Sequence, residues 1–388
     1  MRLLRFARND IKKELLDSLD ILFMLILGVE TSCDETSLAL LKADGGKLTL
    51  HKNLVFSQIK THAQYGGVVP EVAARAHVEK IMPMLKDVLG EKNKPDVIAV
   101  TAGPGLATAL LVGVETARTL AYLWKKPLVA VNHLAGHIYA NWLPDCHPAL
   151  DAGSRKKINW ISAFAGMTDK NRTNIAFPAL CLIISGGHTE LVIMKEHLKY
   201  RLIGQTRDDA VGECFDKVGK ILGLTYPGGP EVAKHADKGN PEAVKFPRPM
   251  IGSNNFDFSF SGLKTAVLYH FKKIPKLVRD DRGEIADICA SFQQACIDVI
   301  ITKTMAAAKK YKVKTILLGG GVAANQELQC QLKSALADHL PKIKYTALPI
   351  EYCGDNAAMI AAAGYFHALK KQFINWEKIN ADPNWDLA

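Results

Sequence analysis

The sequence predicts an α/β protein made of two related lobes with a ligand cleft between them, and two repeated arrangements of residues carry that prediction. Segment 21–42 reads as strand, polar turn and strand: the apolar run Ile21–Val29, the tip Glu30–Thr36 and the run Ser37–Leu41. Segment 179–195 repeats it with Ala179–Ile184, the turn Ser185–Thr189 and Glu190–Lys195. The second arrangement is a strand, a glycine-rich turn and a helix. Val97–Gly105 runs into the helical pattern Leu106–Trp124, and Thr315–Gly321 runs into the helical pattern Val322–Ala337. A hairpin followed by a strand–turn–helix, present twice, implies two α/β layers that share a cleft.

That layout is the actin-like fold of sugar kinases, Hsp70 and actin. On this reading the first lobe takes residues 24–132 plus 358–388, and the second takes 133–357. Residues 1–23 read as an N-terminal extension, because Met24 sits inside the first strand pattern and is a natural start. Residues 149–176 have no sustained period and are rich in turn formers, so they read as a surface insertion. A single dinucleotide-binding sheet is the competing arrangement. It fits less well, since Gly103-Pro104-Gly105 does not continue as GxGxxG and no GxxxxGK[ST] occurs.

The 388 residues are 48% apolar and 23% charged, the composition of a soluble globular chain. A chain this long can rely on its core instead of disulfide staples. The net charge of +10 and a pI near 9.1 favour an acidic partner such as nucleic acid, although short clusters such as Lys272-Lys273 also suit a solvated surface. The 8 cysteines form no CxxC and suggest reduced thiols in the cytoplasm. The run Ile21–Leu27 is too short for a signal peptide and leads into a polar motif. No run approaches the roughly 18 apolar residues of a membrane span.

Several residues could carry chemistry. His133 and His137 stand four apart, which on a helix puts both imidazoles on one face, within reach of one metal ion. Such a pair also occurs as packed or exposed histidines. Asp355, just before the helical run Ala357–Tyr365, reads as a third ligand or as a helix cap. Zinc proteases place a glutamate directly after the first histidine, whereas this chain has Leu134 there. The turns Ser185–His188 and Gly319–Gly321 let backbone amides approach a phosphate, or are simply tight. The acidic stretch Asp208–Lys217 reads as a solvated helix face or as a source of a ribose-binding carboxylate.

At this point one family is matched closely. Gly28–Thr36 (GVETSCDET), His62–Glu71 (HAQYGGVVPE), Thr101–Leu106 (TAGPGL), Asn132–His137 (NHLAGH), Ser185–Thr189 (SGGHT), Phe256–Thr265 (FDFSFSGLKT) and Gly319–Asn325 (GGGVAAN) resemble the TsaD family, from Met24 to about Tyr365. The resemblance implies a transferase that moves threonylcarbamoyl from threonylcarbamoyl-adenylate to N6 of adenosine 37 in tRNAs reading ANN codons, releasing AMP. It implies one divalent metal, Fe(2+) or alternatively zinc, on His133, His137 and Asp355. It puts the adenylate on Ile183, Ile184, Ser185, Gly186, Gly187, Asp216, Gly229 and Asn325, and places Asp34 and Glu35 near the reaction. It also implies tRNA as substrate, a complex with the TsaB paralogue and the TsaE ATPase, and no membrane. An ATP-dependent kinase or ATPase of the same fold, or a scaffold paralogue, would keep the glycine turns but has no use for the metal ligands.

Because every one of these motifs lies beyond Met24, a chain beginning there is expected to fold and react like the full one. Thermal denaturation and a transfer assay on the truncated chain check this; a folded but inactive product would place residues 1–23 in the working enzyme.

Overall fold

The computed structural model describes residues 23–90, 93–144, 175–274, 282–345 and 347–388. Apart from Phe23, Ile175 and Ala176, the N-terminal extension and the insertion expected from the sequence lie outside the described residues. In the first half of the chain the elements are β1 (Phe23–Glu30), β2 (Glu35–Asp44), β3 (Lys47–Ser57), α1 (Ile59–Ala63), α2 (Pro70–Leu89), β4 (Val97–Gly103), α3 (Ala107–Trp124), β5 (Leu128–Asn132) and α4 (His133–Tyr139). The second half contributes β6 (Ala179–Ile184), β7 (Thr189–Glu196), β8 (Lys199–Gln205), α5 (Val211–Ile221), α6 (Gly228–Ala236), α7 (Ser261–Lys273), α8 (Arg282–Tyr311), β9 (Thr315–Gly319), α9 (Gln326–His339), β10 (Lys344–Tyr345), α10 (Ile350–Cys353) and α11 (Ala357–Leu369).

The strands form two five-stranded sheets, ordered β3-β2-β1-β4-β5 and β10-β9-β6-β7-β8. In each, a three-strand antiparallel meander continues into two parallel strands, so the duplication expected from the hairpins holds at the level of topology. β1 pairs antiparallel with β2 from Phe23↔Asp44 to Glu30↔Ser37 and parallel with β4. β6 does the same with β7 and β9. The central strands β1, β4, β6 and β9 are near-continuous apolar runs, because helices cover both faces of the sheets and leave no face for polar side chains. This is the actin-like architecture.

Within α8, Gly283–Tyr311 is long and apolar enough to cross a membrane, with an 18-residue window whose mean hydropathy is 1.4, a feature the sequence reading passed over. That window is 67% buried, and Ile288, Phe292 and Ile300 lie in the core. It is a buried helix of the second sheet's half.

Three close approaches set α4 and α11 beside each other. Gly28 on β1 has no side chain, and a Cβ there would overlap the Ala357 carbonyl at the start of α11. Ser37 Oγ accepts from Ala357 N at 2.8 Å, and Asn356 caps α11 by accepting from Met359 N. A Cβ on Gly136 of α4 would stand 2.6 Å from Ile360 Cδ1, and one on Gly319 of β9 would stand 2.9 Å from the His137 carbonyl oxygen. Helix α4 is therefore wedged between α11 and β9. Its own start is fixed by Asn132, whose side-chain oxygen accepts from Leu134 N at 2.9 Å and Ala135 N at 3.3 Å.

The C-terminal segment closes over the same region. Asp382 N donates to Ala102 O at 2.7 Å and Gly105 N to Pro383 O at 3.2 Å, while Asn132 Nδ2 donates to Trp385 O at 2.9 Å. Leu387 then lines a cavity together with Lys195, Tyr200 and Arg201 of the β7–β8 hairpin.

Gly136→Val is expected to destabilise the protein by about 1–3 kcal/mol, because the added methyl groups must push Ile360 and Met359 off α4. Urea unfolding measures this; an unchanged midpoint would mean that the α4–α11 contact has slack.

Candidate metal and nucleotide site

The wedged helix and the capped one bring His133, His137 and Asp355 together, with all three ligand atoms within 4.8 Å of one another. Asp355 Oδ1 lies 3.5 Å from His133 Nε2 and 3.2 Å from His137 Nε2. The imidazoles meet edge to face with centroids 4.7 Å apart. Asp355 is free for this role because Asn356, not Asp355, caps α11. His137 is fully buried, and neither of its ring nitrogens has a hydrogen-bond partner among the described residues. Asp355 is near its Nε2 but not along a hydrogen-bond direction. A buried imidazole left this way is unfavourable unless its lone pair meets something else. Ligand atoms bound at about 2.1 Å to one ion lie roughly 3–3.5 Å apart, so the two separations from Asp355 suit a divalent transition metal held by two imidazoles and a carboxylate. A small closing movement of the imidazoles brings the set, now spread over 4.8 Å, onto one ion.

The charges agree with that use. Burial disfavours the Asp355 carboxylate, but His133 beside it outweighs burial and holds its pKa well below the usual range. Burial likewise opposes a charge on His133, yet Asp355 and then Glu30 pull its pKa well above that of a free histidine. A cation placed between the three groups would take over the balancing role of that proton. His188, on the neighbouring turn, is pushed down to about 4 by burial and by the positive character of His133 and His137.

The tip of the β1–β2 hairpin forms the opposite wall. Asp34 is 8% exposed and Glu30 fully buried. Glu35 accepts from Ser57 Oγ at 3.0 Å. Burial, followed by the charges of Asp355 and Asp34, raises its pKa to about 9, so Glu35 carries a proton at neutral pH. The Cys33 thiol is raised well above its ordinary value by burial and then by Asp34, which removes it as a nucleophile. Glu30 is the residue that sequence reasoning missed. Its signal was a carboxylate at the end of an otherwise apolar strand, Phe23–Glu30, in a sheet covered on both faces.

The residues expected to hold the adenylate fall into two groups. Ile183 and Ile184 are fully buried, so only their backbone can face a ligand. Ser185 N donates to His188 O at 2.8 Å, Ser185 Oγ accepts from His188 N at 3.1 Å, and Gly186 and Gly187 form the exposed tip. Neither glycine has a left-handed backbone, and a Cβ on either would meet open space. Gly320 is the turn residue that must be glycine: its φ is +92° and a Cβ would strike the Ile184 carbonyl, which lets the end of β9 rest on the end of β6.

Asp216 on α5 accepts from Gly229 N at 2.9 Å and so holds the first turn of α6; burial raises its pKa. Asn325 caps α9 through Leu328 N at 2.9 Å and donates to Gln293 Oε1 at 2.7 Å. The rest of the acidic stretch is anchored and does not form a free solvated face. Asp208 accepts from Phe260 N at 2.8 Å and from Ser259 and Ser261 hydroxyls at 2.6 Å each, and Asp209 pairs with Lys264 at 2.6 Å and Lys217 at 2.9 Å.

The sequence model of TsaD, described as tRNA N6-adenosine threonylcarbamoyltransferase, matches residues 49–161 and 149–362. The chain belongs to the TsaD family. The tRNA N6-adenosine threonylcarbamoyltransferase of Moorella thermoacetica is 44% identical over 369 residues, covering 93% of this chain and 97% of the relative. That of Bacillus subtilis is 44% identical over 368 residues, 94% of this chain and 96% of the relative. Among solved structures, HypF of T. kodakarensis superposes with a TM-score of 0.55 at 14% identity, over 90% of this chain and 48% of that one. A second HypF, in a phosphate- and nucleotide-bound form, gives 0.52 at 12% identity, over 89% of this chain and 55% of that one. At those identities the likeness concerns the fold alone.

In this TsaD family member the shifted Glu35 has a stability consequence. Its folded pKa of about 9 lies above the 4.5 of a free carboxyl, so the folded state holds the proton more tightly. Any stability linked to Glu35 is fully present below about pH 4.5 and is lost as the pH rises toward 9. Glu35→Gln is expected to remove that loss. Urea unfolding of both metal-chelated proteins across this range checks it; parallel curves would show that Glu35 titrates normally.

Proposed function

We propose that this chain transfers the threonylcarbamoyl group of threonylcarbamoyl-adenylate to N6 of adenosine 37 in tRNAs reading ANN codons, forming t6A and releasing AMP. The observation that carries this reading is the convergence of His133, His137 and Asp355 beside the Ser185 turn in a chain of the TsaD family. An actin-like kinase or ATPase would have no use for that triad. The net charge of +10 suits a tRNA substrate.

In the reaction, N6 of the adenine attacks the carbamoyl carbon, the bond from that carbon to the phosphate oxygen breaks, and one N6 proton leaves. His133, His137 and Asp355 would hold a divalent ion, Fe(2+) or alternatively zinc. When bound, it supplies Lewis-acid polarisation of the carbonyl. Asp34 and Glu35, side by side in the hairpin tip opposite the ligand set, are placed to accept the N6 proton and to hydrogen-bond the reacting group. Backbone amides of Gly186 and Gly187 approach the phosphate from a turn closed by Ser185, whose own N–H is taken by His188 O, with Ile183 and Ile184 supplying only backbone. Asp216, next to Gly229, keeps acceptor capacity for ribose hydroxyls, and Asn325 borders the base. The adenylate is already activated, so no acyl-enzyme is required, in keeping with the inert Cys33 thiol. The working form is a cytoplasmic complex with the TsaB paralogue and the TsaE ATPase.

A reconstituted transfer assay with nucleoside mass spectrometry, run beside metal analysis, tests the assignment. His133→Ala, His137→Ala and Asp355→Ala are each expected to lose metal and nearly all transfer while staying folded; full metal content in all three would overturn the ligand set. Gly186→Val fits the fold, since the space above Gly186 is open. It should nevertheless obstruct the phosphate and weaken AMP binding about tenfold or more without releasing metal. Unchanged affinity by calorimetry would move the pocket elsewhere.

A further inference from the structure

We propose that Glu30 is a positioning residue that sets the tautomer and orientation of His133, so that its Nε2 is presented to the metal before the metal arrives. The inference rests on the metal reading of His133, His137 and Asp355 given above. It adds a residue from a different motif, at the far end of β1.

Glu30 is fully buried, and a carboxylate in that position is tolerated only when its oxygens are occupied by donors. Its Oε1 accepts from Ser32 N at 2.5 Å. Its Oε2 accepts from Thr101 Oγ1 at 2.6 Å and faces His133 Nδ1 at 3.1 Å. The carboxylate is thus pinned by two donors that do not belong to the metal site, one in the hairpin tip and one on β4. Held there, it can only accept from His133, so Nδ1 carries a proton in either charge state of the ring, and Nε2 is the nitrogen left to bind the metal once its own proton is displaced. Nε2 is on the side of Asp355. Ser32 Oγ, 3.1 Å from the same Nδ1, reinforces the arrangement as a second acceptor. His137 has no counterpart: its Nδ1 is buried without a partner among the described residues. The two ligand histidines are therefore unequal, with His133 preset and His137 set by the metal.

The isosteric change Glu30→Gln separates this role from mere packing. The Gln oxygen must stay opposite Ser32 N, since the opposite flip would set two donors against each other. Its NH2 then faces Thr101, which can rotate to accept, and His133 Nδ1, which must also accept. That reverses the tautomer and points an N–H at the metal position. Removing such a partner typically lowers metal affinity about 10–100-fold.

The test is titration of the full-length, metal-stripped protein with zinc(II) by calorimetry and with cobalt(II) by visible absorption, with AMP affinity and thermal denaturation measured on the same samples. Glu30→Gln is expected to lose about 10–100-fold in zinc affinity and to change the cobalt ligand-field bands, with AMP affinity unchanged. Thr101→Val, which removes one pin but keeps the carboxylate, is expected to give a smaller loss of the same kind, and it carries the test if Glu30→Gln does not fold. Wild-type zinc affinity and an unaltered cobalt spectrum in both folded variants would overturn the proposal. Failure of the wild-type protein itself to bind either ion would instead overturn the metal reading on which the proposal rests.

Discussion

The contact between α4 and α11 is the constraint on which the rest of this structure depends. Two of the three proposed ligands are on the first of these helices and the third directly precedes the second, so their separation is set by how closely the helix backbones approach. Gly136 removes the side chain that would keep Ile360 away, and Gly28 and Gly319 let α11 and α4 rest on β1 and β9. Close-packed interiors transmit small displacements. A ligand set with separations of 3.2 and 3.5 Å tolerates little of that before it no longer matches one ion.

Around this contact lies a buried network of charge in which no group is placed by itself. Glu30, His133 and Asp355 form an acid–base–acid row crossing from β1 to α4 to the start of α11. Burial opposes each charge, and each is retained because its neighbours offset that opposition. Asp355, together with Asp34, acts the other way on Glu35 and Cys33, whose protons the two help retain. One cleft thus holds a carboxylate kept ionised and a carboxylic acid kept neutral, which divides metal binding from hydrogen-bond donation among residues of like type.

The glycine turns serve two ends that look alike along the chain. Gly320 is required by the fold, through its positive φ and its contact with Ile184. Gly186 and Gly187 are not: both have ordinary backbone and open space above them, which leaves an accessible row of amides at the tip. The C-terminal segment adds a wall, since Pro383 and Trp385 bond to the β4–α3 turn and to Asn132 while Leu387 lines a cavity with the second sheet's hairpin.

The sequence by itself determined the duplicated α/β architecture, because the period of apolar residues and the placement of glycine are local signals that each lobe expresses independently. It also determined the spacing of His133 and His137, since four residues along a helix fix a shared face. It left Asp355 open between ligand and helix cap, and the structure removes the cap reading, because Asn356 takes that place. The acidic stretch beginning at Asp208 looked like a solvated face until α7 was placed against it. Glu30 carried almost no signal, because the meaning of a buried carboxylate depends on which donors surround it. Those donors, on Ser32, Thr101 and His133, come from separate segments that only the folded sheet and helix bring within hydrogen-bond distance.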